Sequence, residues 1–215
     1  MYVPATPAQA APTLAPAGIV SSVPATLVTP VPTSLRVRRS QLNVLEGSRV
    51  TIAGALLENR HAAEPGLVVS LQELGRHGWR TLARTHTGAH GRFRLSYLPR
   101  RLGSELARLR FAGNATARGS HTRLGIMSVF RLAGASWYGG GGTTACGGAL
   151  TSSTLGVANK TLPCGTMVTL HYGNRTVRVP VIDRGPYVAG REFDLTEATK
   201  RALGFGDTGN VWSTN

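Results

Sequence analysis

The chain has 215 residues and a formal net charge of +14, so it has room for one large domain or two small ones and should attract anionic partners. Its 27 glycines, 12 prolines and 16% charged residues favour a turn-rich, all-β protein over a helical one. No apolar run approaches the roughly 18 residues that a membrane-spanning helix needs.

Residues 1–33 are rich in Ala, Pro, Thr and Val, a composition that predicts a disordered linker. Ala8-Gln9-Ala10 resembles the small-residue cleavage end of a signal peptide, but a basic start and an apolar core are absent. We interpret the segment as a linker or as the remnant of a targeting segment, either trimmed or with the recorded start downstream of the real one. The expected location is extracytoplasmic, secreted or in the cell wall.

Residues 34–133 predict an antiparallel β-sandwich. Strand-like runs at residues 50–53 and 67–71 end near glycines, and residues 92–97 alternate polar and apolar side chains. The pattern weakly resembles the immunoglobulin-like modules that precede catalytic domains in secreted bacterial proteins. Because paired carboxylates, a nucleophile elbow and a metal cluster are missing from this sequence, we expect a spacer or binding module.

Most of the positive charge belongs to this predicted sandwich. It contains 17 arginines and five acidic residues, a net charge of +12, whereas residues 134–215 carry +2. Such a surface should attract an extended polyanion, either an anionic wall polymer, which we expect, or an anionic membrane surface. Nucleic acid is not expected, because no aromatic residues interleave with the basic ones. The alternative is a solvated arginine face without a ligand.

Residues 134–215 predict a second β domain with one short helix. Strand-like runs at residues 167–172 and 176–182 flank Gly173-Asn174, which is typical of a hairpin turn. Asp194 followed by Glu197 predicts a helix cap, in which both acidic residues are structural.

Cys146 and Cys164 are too few for a structural zinc site, and the six histidines show no metal-ligand spacing. We therefore expect no metal or cofactor, and we favour a Cys146–Cys164 disulfide over a pair of buried free thiols. Such a bond would contribute about 3 kcal/mol to the free energy of unfolding. It would also indicate an oxidising compartment.

Asp183 is the residue that we expect to carry chemistry. It follows Val181 and Ile182 and precedes a Gly-Pro turn. A carboxyl group beside apolar side chains is poorly solvated, which favours its protonated, proton-donating form. The alternative is that Asp183 only caps the turn.

Several short segments between residues 134 and 215 match a family pattern in order and spacing. They are Ala135-Ser136-Trp137-Tyr138-Gly139, Thr144-Ala145, Lys160-Thr161-Leu162-Pro163, Gly165-Thr166, Val181-Ile182-Asp183-Arg184-Gly185-Pro186-Tyr187, Gly190-Arg191, Phe193-Asp194-Leu195-Thr196 and Leu203-Gly204. Together they resemble the double-psi β-barrel domain of the rare lipoprotein A (RlpA) family, which is related to expansins.

The resemblance implies a six-stranded double-psi barrel and a peptidoglycan lytic transglycosylase. Such an enzyme cuts the MurNAc–GlcNAc bond without water and leaves a 1,6-anhydro-MurNAc end, and Asp183 occupies the family's catalytic Asp position. Many members also carry a Glu and a His where this chain has Gly148 and Asn159, neither of which is an acid or a base. The alternative function is therefore a non-catalytic peptidoglycan-binding or wall-loosening module.

Five further residues are candidates for substrate binding. Tyr138 and Tyr187 would stack on sugar faces, and Asn159 would donate a hydrogen bond to a sugar hydroxyl. Lys160 and Arg184 would hold a lactyl or stem-peptide carboxylate. The alternative is that the aromatic residues belong to the core and that the charges are simply solvated.

Overall fold

The computed structural model describes Met1 and residues 29–215, and the regular structure of this part of the chain is predominantly β-strand, as predicted. The described residues form fourteen strands and one α-helix: β1 (Thr33–Gln41), β2 (Asn43–Leu45), β3 (Val50–Glu58), β4 (His61–Ala62), β5 (Val68–Gly75), β6 (Gly78–His86), β7 (Arg92–Tyr97), β8 (Gly103–Phe111), β9 (Ser120–Tyr138), β10 (Val157–Ala158), β11 (Met167–Tyr172), β12 (Arg175–Asp183), β13 (Phe193–Thr196), α1 (Glu197–Leu203) and β14 (Thr208–Ser213). Residues 2–28 of the predicted linker lie outside the described residues.

The first half of the described chain is a two-sheet β-sandwich. In one sheet β3 pairs with β1, β4 and β7, and in the other the order is β2-β9-β8-β5-β6. Alternate side chains of both sheets meet in one core, because a strand presents every second residue to the same face. Fully buried members of that core include Ile52, Leu56, Leu71, Leu95 and Leu109. The specific likeness to immunoglobulin-like modules stays a prediction.

The second half is a closed barrel of six strands. Its hydrogen-bonded order is β9-β13-β10-β12-β11-β14, and β14 pairs with β9 again to close the ring. The barrel interior is filled by apolar residues from every long strand, including Phe193, Leu195, Val181 and Leu170. The predicted six-stranded barrel with one short helix is thus confirmed.

One strand belongs to both halves. Up to Phe130, β9 pairs with β8 and β2, and from Arg131 onward it pairs with β14 and β13. The boundary predicted between residues 133 and 134 therefore lies inside a single strand. Gly134 is needed there because a Cβ would lie 2.0 Å from the carbonyl oxygen of Gly190.

An aromatic cluster occupies the junction between the sandwich and the barrel. His171 of β11 stacks on Phe130 with ring centroids 5.5 Å apart and lies 5.0 Å from the ring of Trp212. Its Nδ1 is 2.7 Å from the Thr176 hydroxyl. Burial lowers the pKa of His171, because the imidazolium would lose its solvation between these rings.

No helix in the described residues is long and apolar enough to cross a membrane.

His171 should make the stability of the protein depend on pH. Because its pKa is lower in the folded chain, the unfolded chain binds more protons below about pH 6.5, so stability is present above that pH and is lost as the pH falls through it. We expect His171→Phe to flatten the fall in the thermal midpoint between about pH 7.5 and about pH 5. The exposed His77→Phe variant should keep the parental slope, and an unchanged slope in His171→Phe would contradict the assignment.

Candidate active site

Asp183 is the last residue of β12 and is held by the neighbouring backbone. Its carboxylate Oδ1 accepts hydrogen bonds from the N–H groups of Ala145 and Arg184, both at 2.8 Å. No hydrogen bond from the described residues reaches Oδ2, and this atom is not buried. The Asp183 carboxylate therefore caps its turn, which was one of the two predictions. Its second oxygen accepts no backbone hydrogen bond from the described part of the chain and is accessible to a ligand.

The Cys146–Cys164 disulfide is present and joins the two loops beside Asp183, which excludes the free-thiol alternative. Both loops are also bonded to β12 just before the carboxylate. The Cys146 N–H donates to the Ile182 carbonyl at 3.2 Å, and the Gly165 N–H donates to the Val181 carbonyl at 2.8 Å. The surroundings of Asp183 are thus fixed covalently and by backbone hydrogen bonds.

Arg184 is occupied largely by the loop over residues 159–164. Its Nη1 donates to the carbonyls of Asn159 at 3.2 Å and Leu162 at 3.0 Å, and its Nη2 lies 3.1 Å from Cys164 Sγ. These charge-assisted bonds order the loop. A direct role of Arg184 in binding a substrate carboxylate stays a prediction.

Asn159 does not have the role that the sequence predicted. Its side chain is only 3% exposed. The Oδ1 accepts from the N–H groups of Thr161 and Leu162 at 3.0 and 2.8 Å, and the Nδ2 donates to the Glu192 carbonyl at 3.1 Å. Asn favours such turns because its short amide reaches backbone N–H groups two and three residues ahead. The predicted hydrogen bond to a sugar hydroxyl is therefore corrected to a structural role inside the loop.

Tyr138 ends β9 near Asp183. Its hydroxyl is buried and has no hydrogen-bond partner among the described residues. Burial raises the pKa of Tyr138 most, followed by the negative charge of Asp183, the approach of the hydroxyl to that carboxylate as a hydrogen-bond donor, and the charge of Asp194. The phenol is therefore protonated at neutral pH, with its donor beside the carboxylate.

Asp194 is a strand residue and not the predicted helix cap. It pairs with Ser136 of β9 and Ala158 of β10, and its Oδ1 accepts from the Ser136 hydroxyl at 2.6 Å. The N-cap of α1 is Thr196, whose hydroxyl accepts from the Thr199 N–H at 3.3 Å. Glu197 is the first residue of the helix and pairs with Arg201. Because β13 is paired on both sides, Asp194 stays in the strand, and the N-cap of the helix is two residues after the predicted position.

Asp183 and Asp194 are brought closer than their separation in sequence suggests. Ala158 of β10 pairs with Asp183 on one side and with Asp194 on the other. The β10–β12 pairing carries an irregularity between Val157 and Ala158, so the shared partner shows that the two residues are near each other and does not show that their side chains share a face. The sequence offered Asp194 as a second carboxylate and assigned it a structural role.

The other candidates lie around Asp183 on exposed backbone. Tyr187 is 80% exposed, so it is not a core residue. Gly148 is exposed with φ of +102°, and a Cβ there would meet no atom within 4 Å. Space for a longer side chain therefore exists at residue 148, but the backbone conformation favours glycine.

Lys160 is not in the same pocket as Asp183. It lines a cleft of about 360 Å³ together with Arg131, Asn159 and Arg191, and Asp183 is not among the residues that line this cleft. Arg131 is neutralised there by Glu192, with a 2.8 Å hydrogen bond from Nη1. The described residues contain no group of three or more side chains suited to a metal ion.

Comparison with known proteins assigns the barrel. Residues 132–212 match the family model described as "Lytic transglycolase". Residues 132–212 are an RlpA-like double-psi β-barrel. The relatives include the probable endolytic peptidoglycan transglycosylase RlpA of Aquifex aeolicus, 43% identical over 75 residues, or 33% of each chain. The RlpA of Synechocystis is 40% identical over 80 residues, covering 35% of this chain and 25% of the relative.

The RlpA-like match is confined to the barrel. The chain spans about a third or less of the length of these curated relatives. Among solved structures, the Streptomyces papain inhibitor is 26% identical with a TM-score of 0.33, covering 39% of this chain and 90% of that one.

Asn159 should be important for stability rather than for ligand contact. We expect Asn159→Ala to lower the free energy of unfolding by about 1–3 kcal/mol, because buried backbone N–H groups lose their acceptor. Thermal or denaturant unfolding would measure this, with the exposed Asn174→Ala as the control. An unchanged stability would contradict the role assigned to the side chain.

Proposed function

We propose that the RlpA-like barrel is a peptidoglycan lytic transglycosylase domain and that Asp183 is its acid and base. The observation that carries the proposal is the carboxylate itself, with Oδ1 fixed by two backbone N–H groups and Oδ2 accessible. The RlpA relatives are named as endolytic peptidoglycan transglycosylases, which supports the same substrate and reaction. Because peptidoglycan lies outside the cytoplasm, the proposed location is extracytoplasmic, and the disulfide agrees with it.

The proposed reaction needs one carboxyl group that acts twice. In its protonated form Asp183 donates a proton through Oδ2 to the glycosidic oxygen, and the bond from that oxygen to C1 of MurNAc breaks. The 6-hydroxyl of the same sugar then bonds to C1 and returns its proton to Asp183, which closes the 1,6-anhydro ring. No water is consumed, so the two-carboxylate arrangement of ordinary glycosidases is not required. Asp194 is hydrogen-bonded to Ser136 and has no step in this scheme.

Tyr138 and Tyr187 have distinct places in this proposal. The Tyr138 hydroxyl is a buried, protonated donor beside Asp183, and we assign it to orienting that carboxylate rather than to contact with the sugar. Tyr187 is exposed beyond the Gly-Pro turn, where its ring is accessible to a sugar face. Arg184 orders the loop beneath them.

The Tyr138→Phe variant tests whether the Tyr138 hydroxyl contributes to the reaction or to the stability of the fold. Removing an unpartnered buried hydroxyl should leave stability unchanged or raise it by about 1 kcal/mol. If the hydroxyl orients the Asp183 carboxylate, the rate of strand cleavage should fall by about tenfold, the equivalent of about 1.4 kcal/mol. Unfolding and product-release assays on the same samples measure both, and loss of stability with full activity would contradict the assignment.

A second candidate function is a non-catalytic glycan-binding module. Two observations favour it: Gly148 has no side chain, and Asn159 is buried in its own loop, so neither supplies the acid or base that the family resemblance implies at these positions. Such a module would bind purified peptidoglycan without shortening its strands.

Digestion of purified peptidoglycan with the parent chain and with Asp183→Asn separates the two functions. Mass spectrometry should find strands ending in 1,6-anhydro-MurNAc, each lighter by one water than a hydrolysis product. Asp183→Asn should reduce their rate of formation by at least about 100-fold, the usual contribution of a positioned acid or base. Asn keeps an oxygen that can accept from the backbone, so the fold should persist.

The matched control is Asp207→Asn, an exposed barrel carboxylate that accepts from Lys200 and Trp137. It should digest peptidoglycan at the parental rate. Anhydro products that form equally fast in Asp183→Asn would exclude Asp183 as the acid and base. Strand binding without any products in the parent chain would favour the non-catalytic function.

A further inference from the structure

The outer face of the sheet formed by β1, β3 and β7 carries four arginines around two alanines. Arg36 and Arg92 both pair with Ala55, and Arg39 and Arg94 both pair with Ala53. Residues that pair across antiparallel strands share a face, and Ala53 and Ala55 are two residues apart. All four arginines therefore project from one surface, which we call the arginine face.

The pairing with β3 sets the spacing of the arginine face, and the bulge of β1 between Val37 and Arg39 leaves Arg38 outside that pairing. Two strand separations place Arg36 and Arg92 about 10 Å apart at their backbones, and a two-residue step places the two rows about 7 Å apart. In the middle of each row the alanine side chain is short and half-buried, so an extended chain can approach β3 closely. The four guanidinium groups would then border that chain on both sides.

The charges on this face are not neutralised within the described residues. The outward positions of the three strands, from Ser34 to Gln41, from Thr51 to Leu57 and from Arg92 to Ser96, include no acidic side chain. None of the four arginines appears in an ion pair or side-chain hydrogen bond of the described residues, and all four are exposed. By contrast, Arg80 is paired with Glu73, and Arg108 is held by Gln72 and by the ring of Trp79.

The composition of the face indicates the chemistry of its ligand. All 17 basic residues of residues 34–133 are arginine, whose planar fork binds phosphate oxygens through two parallel hydrogen bonds. The outward positions contain no aromatic residue, so the face has nothing to stack on a base or on a sugar ring. Recognition must then depend on the spacing of the anionic groups.

We propose that the arginine face binds a linear phosphodiester polymer of the cell-wall type, with a glycerol- or sugar-phosphate backbone, laid along β3. The absence of stacking residues favours such a polymer over nucleic acid. This binding is separate from the barrel site and does not depend on the proposed cleavage activity. It gives the sandwich a function of its own, which is to hold the protein on an anionic surface.

Binding of poly(glycerol phosphate) to the full chain, measured by fluorescence anisotropy over a range of salt concentrations, tests this proposal. Four phosphate contacts predict a slope of log affinity against log salt of about −3, from about −0.7 per contact on a single-stranded phosphate polymer. Affinity should then fall by about 50-fold between about 50 and about 200 mM salt. The variant R36Q/R39Q/R92Q/R94Q should lose that slope almost entirely.

The control variant R60Q/R76Q/R100Q/R101Q removes the same charge from exposed turns and loops. It should keep the parental slope, and both variants should keep the parental thermal midpoint and circular dichroism spectrum. Equal loss in the two variants would show that net charge alone binds the polymer and would overturn the assigned face. No binding by the parent chain at about 50 mM salt would overturn it as well.

Two further polymers test the identity of the ligand. Polyglutamate and oligothymidylate, each with the same number of charges, should bind the parent chain more weakly than poly(glycerol phosphate). Equal binding of polyglutamate would overturn the phosphate assignment. Tighter binding of oligothymidylate would identify nucleic acid as the partner instead. Anhydro-product formation by the arginine-face variant, measured in parallel, reports on the barrel independently.

Discussion

Closure of the barrel through β13 positions every group at the candidate site. This strand has only four residues, yet it pairs with β9 on one side and β10 on the other. Its inward side chains, Phe193 and Leu195, are fully buried, and burial of each contributes about 1.5–3 kcal/mol. The same pairing sets Asp194 against Ser136 and Tyr138 beside Thr196. Strands β13 and β10 together join β9 to β12, and this connection brings Tyr138 near Asp183.

The loops around Asp183 are held rigidly, and they carry Gly148 and Asn159, neither of which is an acid or a base. A disulfide, two backbone bonds to β12 and the Arg184 guanidinium hold the loops on either side of the carboxylate. Asn159 is part of the same framework, because its side chain fills the turn from within. A residue that orders a loop from inside cannot also face a substrate. The site therefore depends on a single carboxylate, held by the backbone, and on the unpartnered phenol of Tyr138.

The two halves of the molecule that β9 joins differ strongly in net charge. The sandwich carries a net charge of +12 and the barrel +2, while one continuous strand contributes to both. The aromatic cluster of Phe130, His171 and Trp212 packs where that strand passes from one sheet to the other. The arginine face lies on β1, β3 and β7 of the sandwich and Asp183 lies at the end of β12 of the barrel, so β9 joins the halves that carry them without contributing to either.

The sequence by itself determined the all-β class, the barrel family and the disulfide, because alternation, glycine turns and spaced motifs are local properties of the chain. It also selected Asp183 from the end of its strand. Only the tertiary structure decided the roles of Asn159 and Asp194, since hydrogen bonds to Glu192 and Ser136 join residues 33 and 58 positions apart. The arginine face likewise needed strand register: alternation predicted that arginines share a face on each strand, but only the pairing of β1 and β7 with β3 gathered four of them around two alanines.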